Sequence, residues 1–283
     1  MLLWSRRSRL AVLIGFAVVV LVVFIAPLAT VVVAGRDAAR GREAVAEIAR
    51  RSGRRDVELL VADLSSQAEV RRLAAEFRAK HDKLHVLVNN AGVITPKRST
   101  TVDGLETQLA VNHLAPFLLT HLLLDVLKAS APARIVNVSS QVERMGVIDF
   151  DDLGREKRPY ERLDAYNQSK LANILFTTEL ARRLAGSGVT ANCLHPGVIG
   201  TNLLVAYEGR PSLLKFMTYR GRPSTKEGAV TSLFVATSPT LDGVSGKYFR
   251  ESAESRPSAR AQDMATAARL WEASEKLTGL VAG

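Results

Sequence analysis

Apolar and polar residues follow two different patterns along most of the chain. Short runs of four to seven mostly apolar residues recur along it, and small or hydrogen-bonding residues follow most of them. Continuous runs of this kind are typical of strands that are buried on both faces of a parallel sheet. We predict strands at Thr30–Ala34, Val57–Ala62, Leu84–Val88, Ala133–Ser139, Val189–Leu194 and Gly246–Phe249.

Longer amphipathic segments separate these runs, and their apolar residues recur three and four positions apart. The spacing predicts helices, and glycines such as Gly53 and Gly186 mark where two of them end. Strands that alternate with helices predict a single α/β domain with a doubly wound, Rossmann-like parallel sheet. Residues 198–222 contain no clear strand, and we expect a loop-and-helix insertion there. The predicted helices are Ala38–Arg51, Ser66–Lys80, Leu105–Ala129, Leu163–Ala185 and Thr225–Ala236.

The first 28 residues break this pattern. Leu10–Leu28 contains no charged residue, and its length is close to the ~20 residues that a helix needs to cross a bilayer. Three arginines precede the run and favour a cytoplasmic start, but Arg36, Arg40 and Arg42 follow it, so the arginines do not fix the orientation. We therefore interpret residues 1–28 as a segment that holds a single-pass membrane helix, and residues 29–283 as the catalytic domain on the cytoplasmic side. A buried strand followed by a buried helix, or a cleaved signal peptide, would also account for the run.

Charge and cysteine content exclude several classes of function. The net charge is +10, but the arginines are spread along predicted helices and mixed with acids, which indicates a solvated basic surface. No zinc-finger, RNA-binding or basic-zipper pattern occurs, so we expect no nucleic-acid partner. The single cysteine, Cys193, excludes an internal disulfide, and the five histidines lack metal-ligand spacing. We therefore predict no metal site.

Small or hydrogen-bonding residues follow five consecutive predicted strands. Doubly wound sheets bind ligands at the carboxyl ends of their strands, so these residues outline one binding crevice. The residues are Gly35, Arg36 and Asp37, then Asp63, then Asn90 and Gly92, then Ser139 and Ser140, and finally Pro196 and Gly197.

Tyr166 and Lys170 form a second candidate feature on the helix Leu163–Ala185. They are four positions apart, so both project from one face of the helix. A phenol is a poor base near neutral pH, but a nearby ammonium favours the phenolate. The pair could therefore exchange a proton with a substrate oxygen that a hydroxyl such as that of Ser140 holds. Taken alone, the spacing also suits an ordinary solvated helix face.

Several motifs together resemble the short-chain dehydrogenase/reductase family, and within it the retinol-dehydrogenase-like branch. They follow one another in the family's order from about Thr30 to Leu280, which makes agreement by chance improbable. The matching stretches are NNAG at 89–92, VNHLAPFLLTHLLL at 111–124, RIVNVSSQ at 134–141, LDAYNQSKLANILF at 163–176, HPGVIGT at 195–201, GKYF at 246–249 and RLWEASEKLTGL at 269–280.

The resemblance implies a catalytic set of four residues. Tyr166 would be the general acid or base, and Lys170 would lower its pKa and bind the nicotinamide ribose. Ser140, rather than Ser139, would polarise the substrate carbonyl, and Asn112 would support a water-linked proton relay. The substrate implied is a small apolar alcohol or carbonyl compound.

The resemblance also implies a dinucleotide cofactor. Arg36 occupies the position at which the family selects it, and an arginine suits the 2′-phosphate of NADP, whereas the neighbouring Asp37 favours NAD. We predict NADP, with NAD as the alternative. The other residues implied at the cofactor are Asp63 at the adenine, Asn90, Ala91 and Gly92 on the adenosine side, and Pro196, Gly197, Val198 and Thr201 at the nicotinamide end.

The family's first motif, TGxxxGxG, has no counterpart in this chain. Only Gly15 precedes Gly35, so the glycine turn that brings backbone N–H groups to the pyrophosphate is missing. A missing first strand would also leave a gap in the sheet between the strands at 30–34 and 84–88. Those two strands could pair directly, or the apolar run could fill the gap.

Two functional interpretations follow from these observations. The first is a membrane-associated NAD(P)-dependent oxidoreductase that interconverts an alcohol and a carbonyl. The second is a membrane-anchored, non-catalytic relative, or a chain with an altered N-terminus, that cannot bind the dinucleotide. Family members of this kind often form homodimers through the helices at 105–129 and 163–185, so a homodimer is also expected from the resemblance.

Overall fold

An eight-stranded sheet forms the centre of the computed structural model, which describes residues 19–25, 28–53, 56–197 and 225–280. The strands are β1 (Val19–Ile25), β2 (Leu28–Gly35), β3 (Val57–Val61), β4 (Val86–Asn89), β5 (Ala133–Val138), β6 (Val189–His195), β7 (Tyr248–Arg250) and β8 (Ala253–Ser255). The helices are α1 (Ala38–Ser52), α2 (Gln67–Lys80), α3 (Thr107–Leu109), α4 (Ala115–Leu122), α5 (Leu124–Ala129), α6 (Arg162–Arg183), α7 (Thr225–Thr237) and α8 (Met264–Thr278).

The strand order is β3-β2-β1-β4-β5-β6-β7-β8. The strands β2 and β3 are parallel, as are β4, β5, β6 and β7, and the two groups point in the same direction. The doubly wound α/β fold is confirmed. The expectation of an entirely parallel sheet is wrong at β8, which forms a hairpin with β7, and at β1.

β1 fills the centre of the sheet in the opposite direction to its neighbours. It pairs antiparallel with β2, from Val19 opposite Ala34 to Ile25 opposite Leu28, and antiparallel with β4 on its other side. The predicted membrane helix over Leu10–Leu28 is therefore wrong for Val19–Ile25. The facing edges of β2 and β4 present backbone N–H and C=O groups that need partners, and a strand rich in β-branched residues supplies them.

Residues 1–18 and the insertion at 198–222 lie outside the described residues. In the described parts of the chain, no helix combines the length and the apolar character that crossing a bilayer requires.

Apolar residues bury both faces of the sheet. On one face, α2, α4 and α6 pack around Leu73, Phe77 and Phe117, together with Trp271 from α8. On the other face, α1 contributes Ile48 and α7 contributes Leu233, which pack against valines of β2, β4 and β5. Helices thus cover both faces of the sheet, and the ends of its strands are available to form a site.

The helix predicted at Leu105–Ala129 is not continuous. Ala110–Leu114 forms a π-helical turn between α3 and α4, and the helix axis is interrupted again at Leu123. A π-helical turn inside an α-helix often accompanies a functional site. The C-terminal helix α8 and the short strand β8 were not predicted from the sequence pattern.

Candidate active site

The predicted crevice residues lie at the carboxyl edge of the parallel strands. Arg36 follows β2, Asp63 follows β3, Asn90 follows β4, Ser140 follows β5 and Pro196 follows β6. Ala91 is buried, whereas Asn90, Gly92, Pro196 and Gly197 are half-buried. Val198 and Thr201, predicted at the nicotinamide end, lie outside the described residues.

Tyr166 and Lys170 are both buried on α6. Lys170 Nζ lies 5.5 Å from the centre of the Tyr166 ring and donates a hydrogen bond of 3.1 Å to the carbonyl oxygen of Val138 at the end of β5. Only 2% of Lys170 is exposed, and this burial lowers its pKa to about 8. The pair is therefore part of the packed interior, not a solvated helix face.

Asn112 fixes the loop that follows β4 against α6. Its Oδ1 accepts from the backbone N–H of Val93 at 2.7 Å, and its Nδ2 donates to the Val93 carbonyl at 3.0 Å. The same Nδ2 donates to Ser169 Oγ at 2.9 Å, and Ser169 in turn donates to the carbonyl of Tyr166. Asn112, which lies in the π-helical turn, thus connects the β4 loop to the catalytic helix.

Gly92 lies directly beside this arrangement. A Cβ atom at Gly92 would be 3.4 Å from Lys170 Nζ and 3.6 Å from Asn112 Oδ1. Glycine therefore leaves open the space in front of the lysine ammonium. The residues Gly92, Asn112, Tyr166 and Lys170, which the sequence predicted separately, meet at one place.

The two serines after β5 have different environments. Ser139 is buried, and its hydroxyl donates to the carbonyl oxygen of Lys170 at 2.6 Å. Ser140 is half-buried and caps the 3₁₀ turn Gln141–Met145, where its Oγ lies 3.5 Å from the N–H of Val142. The Ser139 hydroxyl is bonded to α6, whereas the Ser140 hydroxyl is partly exposed, so Ser140 is the one that a substrate could reach.

Arg36 and Asp37 occupy the corner after β2 in different ways. Asp37 is the N-cap of α1, and its Oδ1 accepts from the N–H groups of Ala39 and Arg40 at 2.9 and 3.0 Å. The Arg40 N–H bond is the main cause of the lowered pKa of Asp37. Arg36 is exposed. The carboxylate that could favour NAD is therefore used in capping the helix, and the arginine is available at the surface.

Comparisons with known proteins match this architecture. The sequence fits the profile of the family described as enoyl-(acyl carrier protein) reductase over residues 14–248. Human retinol dehydrogenase 12 is 46% identical over 252 residues, which cover 89% of this chain and 79% of the relative. A crystal structure of a protein from Mycobacterium paratuberculosis superposes with a TM-score of 0.70 at 36% identity, covering 88% of this chain and 84% of that one.

The chain belongs to the short-chain dehydrogenase/reductase family. Its relatives place it in the retinol-dehydrogenase-like branch, as the motifs indicate. It is an NAD(P)-dependent oxidoreductase of alcohols and carbonyl compounds.

One further relative contains residues that have no counterpart in this chain. Human retinol dehydrogenase 13 is 41% identical over 287 aligned positions, which cover 89% of this chain and 85% of the relative. That alignment is longer than the whole chain of 283 residues. The relative therefore contains residues for which this chain has no counterpart.

The described residues fit the two ends of a dinucleotide. At the nicotinamide end, Lys170 and Tyr166 are buried beside the open space at Gly92. At the adenosine end, Arg36 is exposed for a 2′-phosphate, and Asp63 is half-buried at the end of β3. These residues would hold the cofactor at both ends.

The backbone near the place where the pyrophosphate of a dinucleotide would lie differs from the strand and glycine turn of the family motif. Because β1 runs backwards, its carboxyl end at Ile25 lies beside Leu28, at the amino edge of the parallel strands. A seven-residue strand spans about 23 Å, so Ile25 is about that far from the ligand edge. Val19, which pairs with Ala34, is the residue of β1 at that edge.

Sequence reasoning did not identify two parts of the site. The Val138 carbonyl that binds Lys170 carries no side-chain signal. Glu143 is a fully buried carboxylate just after Ser140, and the Ser-x-x-Glu spacing with Ser140 marks it as a capping box. In the structure Glu143 instead bonds to a distant segment of the chain, which spacing alone does not reveal.

Proposed function

We propose that this chain interconverts an apolar, retinoid-like alcohol and the corresponding aldehyde with NADP(H). The observation that carries the proposal is the convergence of Tyr166, Lys170, Asn112 and Gly92 at the carboxyl edge of the sheet. The substrate class is taken from the retinol dehydrogenases, at 41–46% identity.

The chain's own residues have distinct tasks in this reaction. The nicotinamide, when bound, supplies or accepts the hydride. Tyr166 gives a proton to the substrate oxygen during reduction and takes it back during oxidation. The Ser140 hydroxyl donates a hydrogen bond to the same oxygen, where charge develops. Lys170 places an ammonium near the phenol and is held there by the Val138 carbonyl.

The exposed guanidinium of Arg36 supports the choice of NADP(H) over NAD(H). A guanidinium recognises a phosphate through charge-assisted, often bidentate hydrogen bonds. Asp37 would compete for the ribose hydroxyls of NAD, but its Oδ1 is occupied by two backbone N–H groups of α1. This capping role of Asp37 supports NADP(H) as the cofactor.

The test is NADPH oxidation by the purified full chain with all-trans-retinal as the substrate. Tyr166→Phe should abolish the reaction because the proton donor is lost. Tyr248→Phe is the matched control, since Tyr248 is a buried tyrosine in the core beneath α6 and should leave turnover intact. Equal turnover by the Tyr166→Phe variant and the wild-type chain would overturn the proposal.

A second candidate function is a non-catalytic relative that keeps the fold without the cofactor. The observation that favours it is the antiparallel direction of β1, because β1 is then not followed by a glycine turn at the edge where a pyrophosphate would bind. Calorimetric titration with NADPH separates the two candidates. Binding supports the enzyme, whereas a flat titration supports the non-catalytic relative.

We also propose membrane association through the part of the apolar run that precedes β1. The apolar run and the arginines before it support this proposal. Residues 19–25 cannot lie in lipid and form β1 at the same time, so the two roles exclude each other in one molecule. Flotation of the full chain with anionic and neutral liposomes tests the proposal, and a chain that stays with the soluble fraction in both contradicts it.

The homodimer expected from the family likewise remains a proposal. Helix α8 already covers part of the helices concerned, because Trp271 packs against Phe117 of α4 and Phe176 of α6. A dimer through these helices must use the surface that α8 leaves free. Light scattering coupled to size exclusion measures the mass, and a mass of one chain at all concentrations would contradict the dimer.

A further inference from the structure

The segment directly after Ser140 is attached to a part of the chain more than a hundred residues away. Ser140 begins the 3₁₀ turn Gln141–Met145. Glu143, in the middle of this turn, is completely buried. Its two carboxylate oxygens accept from the backbone N–H and the hydroxyl of Ser258, at 2.9 and 2.6 Å.

Further hydrogen bonds join the same two segments. Arg144 Nη2 donates to the carbonyl of Arg256 at 2.8 Å, and Arg260 Nη1 donates to the carbonyl of Gly146 at 3.1 Å. Residues 141–146 and 256–262 are thus tied at three points. We call this pair of segments the serine clamp.

The serine clamp also lies directly against the catalytic helix α6. A Cβ atom at Gly146 would be only 2.6 Å from the carbonyl oxygen of Asn167 and 2.8 Å from Leu171 Cβ. Asn167 and Leu171 follow Tyr166 and Lys170 in the sequence. The clamp therefore fixes Ser140 relative to α6 at the positions next to the two catalytic side chains.

Burial of the Glu143 carboxylate has a free-energy cost that its hydrogen bonds must offset. Removing a charge from water costs several kcal/mol unless partners compensate for it. Among the described residues, the nearest cation is Arg144, whose Nε is 4.0 Å from Oε1 on a side chain that is 58% exposed. In the same part of the chain Cys193 and Tyr248 face Glu143, and burial raises the pKa of both, so they are neutral. The carboxylate is therefore held mainly by its two hydrogen bonds to Ser258.

We propose that Glu143 is a positioning residue, which acts through the serine clamp to hold the Ser140 hydroxyl at the distance from Tyr166 that the reaction needs. The inference rests on the proposed function, because it assigns Ser140 to the substrate oxygen. Charge-assisted hydrogen bonds are short and directional, so they hold a loop in one geometry better than apolar packing does. A displacement of about 1 Å at a reacting group can cost a hundredfold in rate.

The test compares Glu143→Ala with Glu143→Gln. Loss of the acceptor in Glu143→Ala should lower kcat with retinal about 10- to 100-fold and leave the Kd for NADPH within about twofold. Glutamine keeps one oxygen for the Ser258 N–H and can donate to its hydroxyl, so kcat should stay within about threefold of wild type. A kcat as low in Glu143→Gln as in Glu143→Ala, or an unchanged kcat in Glu143→Ala, overturns the proposal.

Glu179→Ala is the matched control for the loss of a buried carboxylate. Glu179 is 1% exposed and bonds to Arg182 and Arg183 at the far end of α6. Its removal should destabilise the chain without lowering kcat, and an equal fall in kcat would overturn the positioning role. If Glu143→Ala does not fold, Ser258→Ala keeps the backbone bond to Glu143 and removes the 2.6 Å bond, together with the 3.3 Å bond that Ser258 Oγ accepts from the Ala261 N–H, and it should lower kcat in the same direction.

Hydrogen exchange separates failure of the clamp from failure of the proposed function. The N–H of Gly146 bonds to the carbonyl of Glu143, and the N–H of Ala261 bonds to the carbonyl of Ser258. Both amides should exchange faster in Glu143→Ala and not in Glu179→Ala, whether or not the wild-type chain turns over substrate. Unchanged exchange at both amides overturns the clamp, whereas an inactive wild-type chain with faster exchange in Glu143→Ala overturns the proposed function and leaves the clamp in place.

Discussion

We predict that the choice between NADP(H) and NAD(H) depends on one exposed side chain, Arg36. We expect Arg36→Ala to weaken NADPH binding and leave NADH binding unchanged, because only NADPH carries the 2′-phosphate. A charge-assisted hydrogen bond contributes about 1.5–3 kcal/mol. Loss of this contact should therefore raise the Kd for NADPH about 10- to 150-fold.

The position of the neighbouring Asp37 in the structure makes this prediction more specific. Since Asp37 caps α1 through two backbone N–H groups, it cannot turn to the ribose hydroxyls without uncapping the helix. The Arg36→Ala variant should thus lose selectivity and not gain affinity for NADH.

Fluorescence titration with NADPH and NADH in parallel measures both constants. Arg50→Ala is the control, because Arg50 is exposed at the other end of α1 and pairs with Glu47. The reasoning would be refuted if Arg36→Ala weakened both dinucleotides equally, or if Arg50→Ala lowered NADPH affinity as much.

Three further predictions concern the catalytic lysine, the reversed strand and the contact at Gly146. Since burial lowers the pKa of Lys170 to about 8, kcat/KM in a pH-rate profile should fall as pH rises through that value. The free energy of unfolding measured with urea should rise between about pH 8 and 10, because in that range the unfolded chain binds one more proton than the folded chain. Cysteines at Val22 and Val31, which are partners in the antiparallel register, should form a disulfide that stabilises the fold by about 2–4 kcal/mol, as melting with and without reductant would show; a parallel β1 would leave the thiols unpaired. Gly146→Ala should cost about 1–3 kcal/mol in a denaturant titration because its Cβ would overlap the Asn167 carbonyl, and unaltered stability would contradict that contact.

The sequence pattern predicted most strands and helices because their signals are local. The runs at Val57 and Ala133 are short and mostly apolar, and Gly53 ends α1 in the left-handed conformation that glycine adopts most easily. The same local signals could not give the direction of Val19–Ile25. An apolar, β-branched run suits a lipid-facing helix as well as a central strand, and only the open edges of β2 and β4 decide between them.

The site was predictable where residue types carry the chemistry. Tyr166, Lys170, Asn112 and Gly92 stand in motifs, and the structure brings them together. The role of Asp37 as a helix cap depends on backbone geometry at the end of β2, so the sequence left its influence on the cofactor open. The partnership of Glu143 with Ser258 joins residues 115 positions apart, beyond the reach of any local spacing.

The central claim is that a catalytic site of this family persists although the middle strand of its sheet runs backwards. The most direct test is a single-turnover experiment in which the full chain, saturated with NADPH, is mixed with all-trans-retinal. The wild-type chain should oxidise NADPH with formation of the alcohol, and Tyr166→Phe should not. No NADPH oxidation by the wild-type chain, with the dinucleotide bound, would contradict the claim.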